Sequence, residues 1–264
     1  MRVILAFIRS TFHTTYIYRF DFWVRLISTF IMMYATYSLW NILYTQNPGA
    51  FGMTREQMTT YGVLGMMLAP VLDSANFVWF YISEQVRQGT LELDLMKPLD
   101  FIFHMFGRHV GVFLVQALFQ GLPAFLFARF VLGIELPGSP QLSFMFFVSI
   151  FLGFMIFFGI SLLIGLLSVI TLKVDSIAWA YFALVNFASG QVIPLWMFPS
   201  AIATVLAALP FKDVYFVPMS IYIGAAQADP VTLIFSQAVW VVVLLVAAQL
   251  FWLHVQRRII VQGG

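Results

Sequence analysis

The chain has 264 residues, of which 62% are hydrophobic, 18% aromatic and 9% charged. An average soluble domain is about 25% charged, and thirteen Lys and Arg with eleven Asp and Glu cannot coat a 30 kDa water-soluble fold. The composition excludes a soluble enzyme, a disordered chain and a nucleic-acid reader, and it points to an all-α, polytopic membrane protein. The net charge of +2 is too small to call for an acidic partner. With no cysteine there is no disulfide, thiolate metal site or thiol nucleophile. His13, His104, His109 and His254 do not pair at a metal-ligand spacing, so no bound metal is expected.

Residues 1–20 are too charged to span. Arg2, Arg9 and His13 share one helical face, with Ile4, Phe7, Ile8 and Thr11 opposite. The segment reads as an amphipathic helix lying in the membrane interface, or as a basic tail. Arg9 interrupts the first apolar run and no small-residue cleavage site follows, so the segment is read as retained.

A spanning helix needs about 20 largely uncharged residues. Uncharged runs at 26–54, 57–72, 109–128, 136–172, 176–211 and 230–256 predict six spans, at 22–45, 59–82, 109–132, 142–170, 175–193 and 231–254. The second accepts one acid, Asp73. With the N-terminus inside, ten Lys and Arg fall on the cytoplasmic side: Arg2, Arg9, Arg19, Arg25, Arg87, Lys97, Arg108, Lys173, Arg257 and Arg258. Only Arg55, Arg129 and Lys212 fall outside, which sets the orientation. Six spans put both termini in the cytoplasm.

The run 176–211 is too long for one helix and too short for two. Pro194, Pro199 and Pro210 break it. A helix to about Val192 is expected, followed by a short piece at 200–209. That piece either re-enters the outer leaflet, within an external segment 194–212, or rests on the outer surface as an apolar loop. Only the C-terminal half carries such a broken segment, so the repeat signature of many secondary transporters is missing.

Catalytic chemistry finds little footing. The Gly159-Ile-Ser161-Leu-Leu-Ile-Gly165 stretch lacks nucleophile-elbow spacing, and no second intramembrane aspartate stands ready to pair with Asp73. There is no potassium-type filter. No Gly-x-x-x-x-Gly-Lys-[Ser/Thr] loop is present, so energy for active transport must come from a gradient or from a separate ATPase. Asp73 reads either as a carboxylate that contacts substrate in a cavity or as a paired structural acid. With Asn76, Asn186 and Gln191 it forms the candidate translocation-path set.

The loop between the second and third spans, placed at 84–108, holds four of the eleven acids within residues 84–100. Gly89 and Pro98 bracket a stretch where Leu91, Leu93 and Leu95 alternate with Glu92 and Asp94. It reads as a compact element docked on a soluble partner, or as a solvated loop.

Here the sequence resembles the permease subunits of type-2 ABC exporters. Glu84, Arg87, Gly89, Thr90, Leu91 and Glu92, then Lys97-Pro98-Leu99, are similar to that family's Glu-x-x-x-Gly-Thr-Leu-Glu-like stretch ending in Pro, with one extra residue before the Gly. Gly190-Gln191-Val-Ile-Pro194 and Leu209-Pro210-Phe211 look like its external re-entrant region. The closing Gln262-Gly263-Gly264 is similar to a bacterial subgroup of small permeases. The resemblance implies one permease domain over residues 1–264 in a bacterial inner membrane, with an elbow helix at 1–20. It implies two permeases, identical or different, around a cleft in the lipid, each docked on a cytoplasmic ATPase. The chain would bind no cofactor, and ATP and Mg would sit on the ATPase. The 84–108 loop would carry the coupling. The external loop 213–230 is short, so the large extracellular domain of some relatives is not expected. The alternative is an ion-coupled secondary transporter or facilitator working through Asp73.

Overall fold

A computed structural model describes residues 19–46, 52–96, 100–171, 174–224 and 229–256. The expected interfacial helix, Lys97-Pro98-Leu99, Arg257-Arg258 and the closing glycines lie outside the described residues. All regular elements within them are helical.

Helix α1 runs Arg19–Gln46 and α2 runs Arg55–Leu72. Thr54 caps α2 in a reciprocal box with Gln57, which satisfies two end donors at once. Pro70 cannot donate a backbone bond, and α2 gives way to a tight turn at Asp73–Ala75 before α3, Val78–Gln88. A five-residue helix α4, Leu91–Leu95, precedes α5, Phe101–Gln116, which starts on the Asp100 cap. A π-turn at Ala117–Gly121 then leads into α6, Leu122–Phe130. Pro123 explains the turn, because its ring has no N–H and crowds the carbonyl four residues back. The second and third spans thus each contain one proline-linked break, in the half of the chain where the sequence suggested none.

Helix α7, Pro140–Leu167, is the central post. It packs against α3, a short helix α10 (Phe216–Ile223) and the last helix, α11 (Pro230–Val255). Phe154, Ile156, Phe157, Phe158 and Leu162 are fully buried on it. In lipid, packing rather than water exclusion joins helices, and small residues allow close approach. Gly165 is such a contact: a Cβ there would meet Ile82 Cδ1 at 2.9 Å and Trp79 Cα at 3.0 Å.

Five helical stretches are long and apolar enough to cross a membrane: Phe20–Gln46, Arg55–Gln88, Phe101–Phe130, Pro140–Leu167 and Pro230–Val255. They coincide with five of the six expected spans. The other, α8, runs only Asp175–Ala188. Fourteen residues rise about 21 Å, short of a 30 Å hydrocarbon core. The helix expected at 175–193 stops early because Ser189 and Gly190 leave the helical path. The backbone N–H of Phe216 bonds to the Ser189 carbonyl at 3.0 Å, so the chain returns at 216 to where it left at 189. Between them lie turns at Leu195–Met197 and Pro210–Asp213 and a helix α9, Ser200–Ala207, close to the expected 200–209 piece. Tyr61 donates to the Gly190 carbonyl at 2.6 Å, and Trp196 sits edge-on to Tyr61, which pins this excursion to α2.

Candidate functional site

Two places concentrate polar groups against an apolar background. The first is the break between α2 and α3. Its turn frees the Trp79 N–H and the Asn76 carbonyl from helical pairing. Ser161 of α7 repairs both: its hydroxyl accepts from Trp79 N–H at 3.0 Å and donates to the Asn76 carbonyl at 2.9 Å. Ser161, in the stretch whose spacing already spoke against a nucleophile elbow, is thus a structural patch on a neighbouring helix. Asp73 lies in the same turn, and Tyr215 donates its hydroxyl to Asp73 Oδ1 at 3.0 Å. The 189–216 excursion therefore reaches the acid at the heart of the second span. Sequence reading could not find Tyr215, which is 142 positions away.

The candidate path residues fall in three environments. Asp73 and Asn76 share the break, and Asn76 is buried with its Oδ1 unpaired among the described residues. Gln191 is tied to the middle of α2, its Nε2 reaching the Gly65 carbonyl at 3.4 Å. Asn186 stands exposed on α8, and no hydrogen bond joins it to the other three among the described residues.

A cavity of about 600 Å³ opens beside the break. Pro70, Asp73 and Ser74 line it from α2 and its turn, Arg25, Ser28 and Thr29 from α1, and Arg108, Gln116 and Gln120 from the third span. A second cavity of similar size lies at the opposite end, with Arg55, Glu56, Glu135 and Tyr222 in its wall.

The second polar concentration is the turn from α3 into α5. Gly89 ends α3 in the left-handed region at φ 68°, a conformation that costs any residue with a Cβ. Its N–H closes on Gln85 and Val86 carbonyls, and the Thr90 hydroxyl bonds the Gln85 side chain. Glu84 and Arg87 are in helix α3, not in a loop. Arg87 pairs with Glu84 at 2.8 Å and reaches Asp175 at the foot of α8 at 3.3 Å. These exposed pairs fix register more than they stabilise.

The five residues of α4 are helical, so the alternating leucines do not share a face. Leu91 and Asp94, three apart, are buried, while Leu93, Leu95 and Met96 are exposed. Asp94 is the anchor. Tyr81 of α3 donates to Asp94 Oδ2 at 2.8 Å, and His104 Nε2 of α5 stands 3.6 Å from Oδ1. The Arg108 guanidinium lies over the Tyr81 ring, 4.1 Å from its centroid. Phe101 stacks on Trp252 at 4.4 Å, joining the foot of α5 to that of α11. The sequence reading noted Asp94 only as a charge alternating with the leucines, and it did not single out Tyr81, His104 or Asp175 as its partners or as site residues. An acid ten residues from a histidine carries no signal until a turn folds one over the other.

Residue types of this kind, apolar tips on a rigid charged base, suit docking and force transmission rather than bond chemistry. No curated protein matches the chain. The family model described as ABC-2 family transporter protein matches residues 30–263. That match takes in α1 from its fourth turn, both polar concentrations and the 189–216 excursion, and membership implies in general a partnership with an ATPase subunit. The chain belongs to the ABC-2 transporter family and is an integral membrane permease of that class.

Proposed function

We propose that this chain is the permease subunit of an ATP-driven exporter, coupled through α4 to a separate cytoplasmic ATPase that carries the ATP and Mg. The observation that carries the reading is the build of α4. Its inner face is held to two spans by Asp94, Tyr81 and His104, while Leu93, Leu95 and Met96 face outward. On the cytoplasmic side that tip would meet water, and exposed apolar tips of this kind mark protein contacts. A rigid lever of this sort lets movement of a docked partner reach α3 and α5 directly.

The remaining assignments complete that reading. Two such permeases, identical or related, enclose the path in the lipid of a bacterial inner membrane. Helix α8 and the excursion to 216 supply a sixth crossing and a re-entrant element, which keeps both termini cytoplasmic. Gln237 supports this depth: its Nε2 bonds both the Asp213 carbonyl at 2.6 Å and the Ser149 carbonyl at 3.1 Å. Ser149 lies nine residues into α7, about 14 Å from its outer end by helical rise.

The test is a mild-detergent pull-down from native membranes. A co-purifying protein with a phosphate-binding loop, and ATP hydrolysis in the eluate, is the expected result. A chain that elutes alone yet moves a solute in liposomes without nucleotide would instead favour a secondary transporter. The observation on that side is Asp73, which lines the inner cavity and is held by Tyr215. In that case Asp73→Asn abolishes transport.

A further inference from the structure

The 189–216 excursion closes at a narrow neck, where the Phe216 N–H bonds the Ser189 carbonyl at 3.0 Å. Two tyrosines tie that neck to the second span. Tyr61 of α2 donates to the Gly190 carbonyl at 2.6 Å, and Tyr215 donates to Asp73 at 3.0 Å. The first tie is to the regular part of α2. The second is to the place where that helix gives way.

The break is built to tilt. Pro70 supplies no N–H, and the tight turn at Asp73–Ala75 interrupts the regular helix between α2 and α3. Ser161 of α7 holds the far side of that turn through one oxygen, bonded to the Trp79 N–H and the Asn76 carbonyl. A single hydroxyl is a pivot rather than a clamp. Two arms leave it. From Trp79 to Gln88, at the edge of α4, the long arm measures about 14 Å by helical rise. From Asn76 back to Asp73 the short arm is a tight turn of about 6 Å. Tyr81 on the long arm holds Asp94 of α4 at 2.8 Å.

The magnitudes favour a switch. A shift at α4 arrives at Asp73 reduced by roughly half, from the ratio of the arms. The Tyr215 bond to Asp73 starts at 3.0 Å and is lost by about 3.6 Å. A movement of roughly 1–2 Å at α4 therefore makes or breaks it, which is the ordinary scale of one packed helix sliding on another.

We infer that Asp73 and Tyr215 are positioning residues whose bond passes the tilt of α3, driven from α4, to the neck of the 189–216 excursion. Tyr61 keeps one limb of the neck on α2 while Tyr215 follows the break, so the tilt loosens the closure between Phe216 and Ser189. The Asp73 carboxyl serves as a hydrogen-bond acceptor in this role and carries no ion. The inference deepens the permease reading, which supplies the drive at α4, but the link itself is testable without an ATPase.

The experiment uses the full chain in lipid nanodiscs and follows backbone hydrogen exchange by mass spectrometry at residues 84–96 and 189–216. Asp94→Ala frees α4, and Tyr81→Phe removes the same bond from its donor. Each is expected to speed exchange at 189–216 about fivefold. In the Tyr215→Phe background neither adds to the effect of Tyr215→Phe alone. Coupling is reciprocal, so Tyr215→Phe also changes exchange at 84–96 by about the same factor. Tyr61→Phe is the control: it loosens the same neck and leaves 84–96 unchanged. Asp73→Asn keeps a neutral acceptor and part of the coupling. Exchange at 189–216 that ignores both α4 variants overturns the proposal, as does an Asp94→Ala effect that persists in full without the Tyr215 hydroxyl. A Tyr215→Phe effect confined to 189–216 overturns it too, since a merely local bond would behave that way. Co-purifying ATPase and the response to nucleotide are scored in the same preparation. Coupling between the two segments with no ATPase present counts against the exporter reading and leaves this one standing. Nucleotide that alters 84–96 but never 189–216 counts against this inference and leaves the exporter reading standing.

Discussion

The second and third spans are both broken near a proline, and the two breaks are settled in different ways. At Pro70 a neighbour closes the wound: Ser161 takes up the Trp79 N–H and the Asn76 carbonyl, and Tyr215 takes up Asp73. At Pro123 the π-turn leaves the Gln120 amide oxygen without a partner and turns it to a cavity. In hydrocarbon an unmet polar group costs more than in water. The freed backbone of the first break is met by a neighbour and ties α3 to α7, while each break leaves one buried side-chain oxygen open among the described residues, Asn76 Oδ1 at the first and Gln120 Oε1 at the second.

That contrast can be broken most severely at Gly165. Leu at 165 would push its Cβ into Ile82 and the Trp79 backbone, prising α3 from the helix that patches it. We expect a loss on the order of 4 kcal/mol, seen as little or no monodisperse protein by fluorescence size-exclusion chromatography. Normal yield and elution would show that α3 is not seated on α7 as described.

Ser161→Ala removes both bonds with little change in volume. Two buried backbone groups are then stranded, and a drop of about 2–3 kcal/mol is expected in detergent melts. A change within error would mean that the break repairs itself some other way. Tyr215→Phe is the milder version, removing one donor to Asp73, and should cost about 1–2 kcal/mol. The same melt in the Asp73→Asn background tests whether the two losses overlap, as they should for groups in contact. Simple additivity would argue that the pair does not interact.

The smallest effect has the opposite sign. Gln120→Leu removes an unpaired buried acceptor and is expected to raise stability by about 1 kcal/mol in the same detergent melts. A destabilised variant would place Gln120 with the satisfied groups and erase the difference between the two breaks.

Much of this was legible before any coordinates. Long uncharged runs separated by charge clusters located five spans, because a bilayer imposes length and polarity together. The run 176–211 was harder, since no charge marks where α8 stops. Its end is set by a backbone bond from Phe216, which no local pattern announces. Pro70 and Pro123 were plain in the sequence, yet whether a proline ends a helix, turns it or bends it depends on what lies alongside. The α4 segment was singled out by its Gly89 and its acids, but its period was misjudged. Five residues are too few to distinguish alternation from a helical turn, and only burial of Leu91 with Asp94 decides it. Asn186 was grouped with Asp73 by residue type alone, and the fold leaves it exposed on α8.

The central claim is that α4 hands partner movement to α3 and α5. The most direct measurement places a photo-crosslinking amino acid at Leu93 in the full chain, in native membranes, with Arg55 as the control position on the opposite side. The account predicts a single adduct from position 93 to a protein that carries a phosphate-binding loop. It also predicts loss of that adduct when Asp94→Ala unties the lever, and no such adduct from position 55. Adducts only to lipid from position 93, in membranes where transport persists, would contradict it.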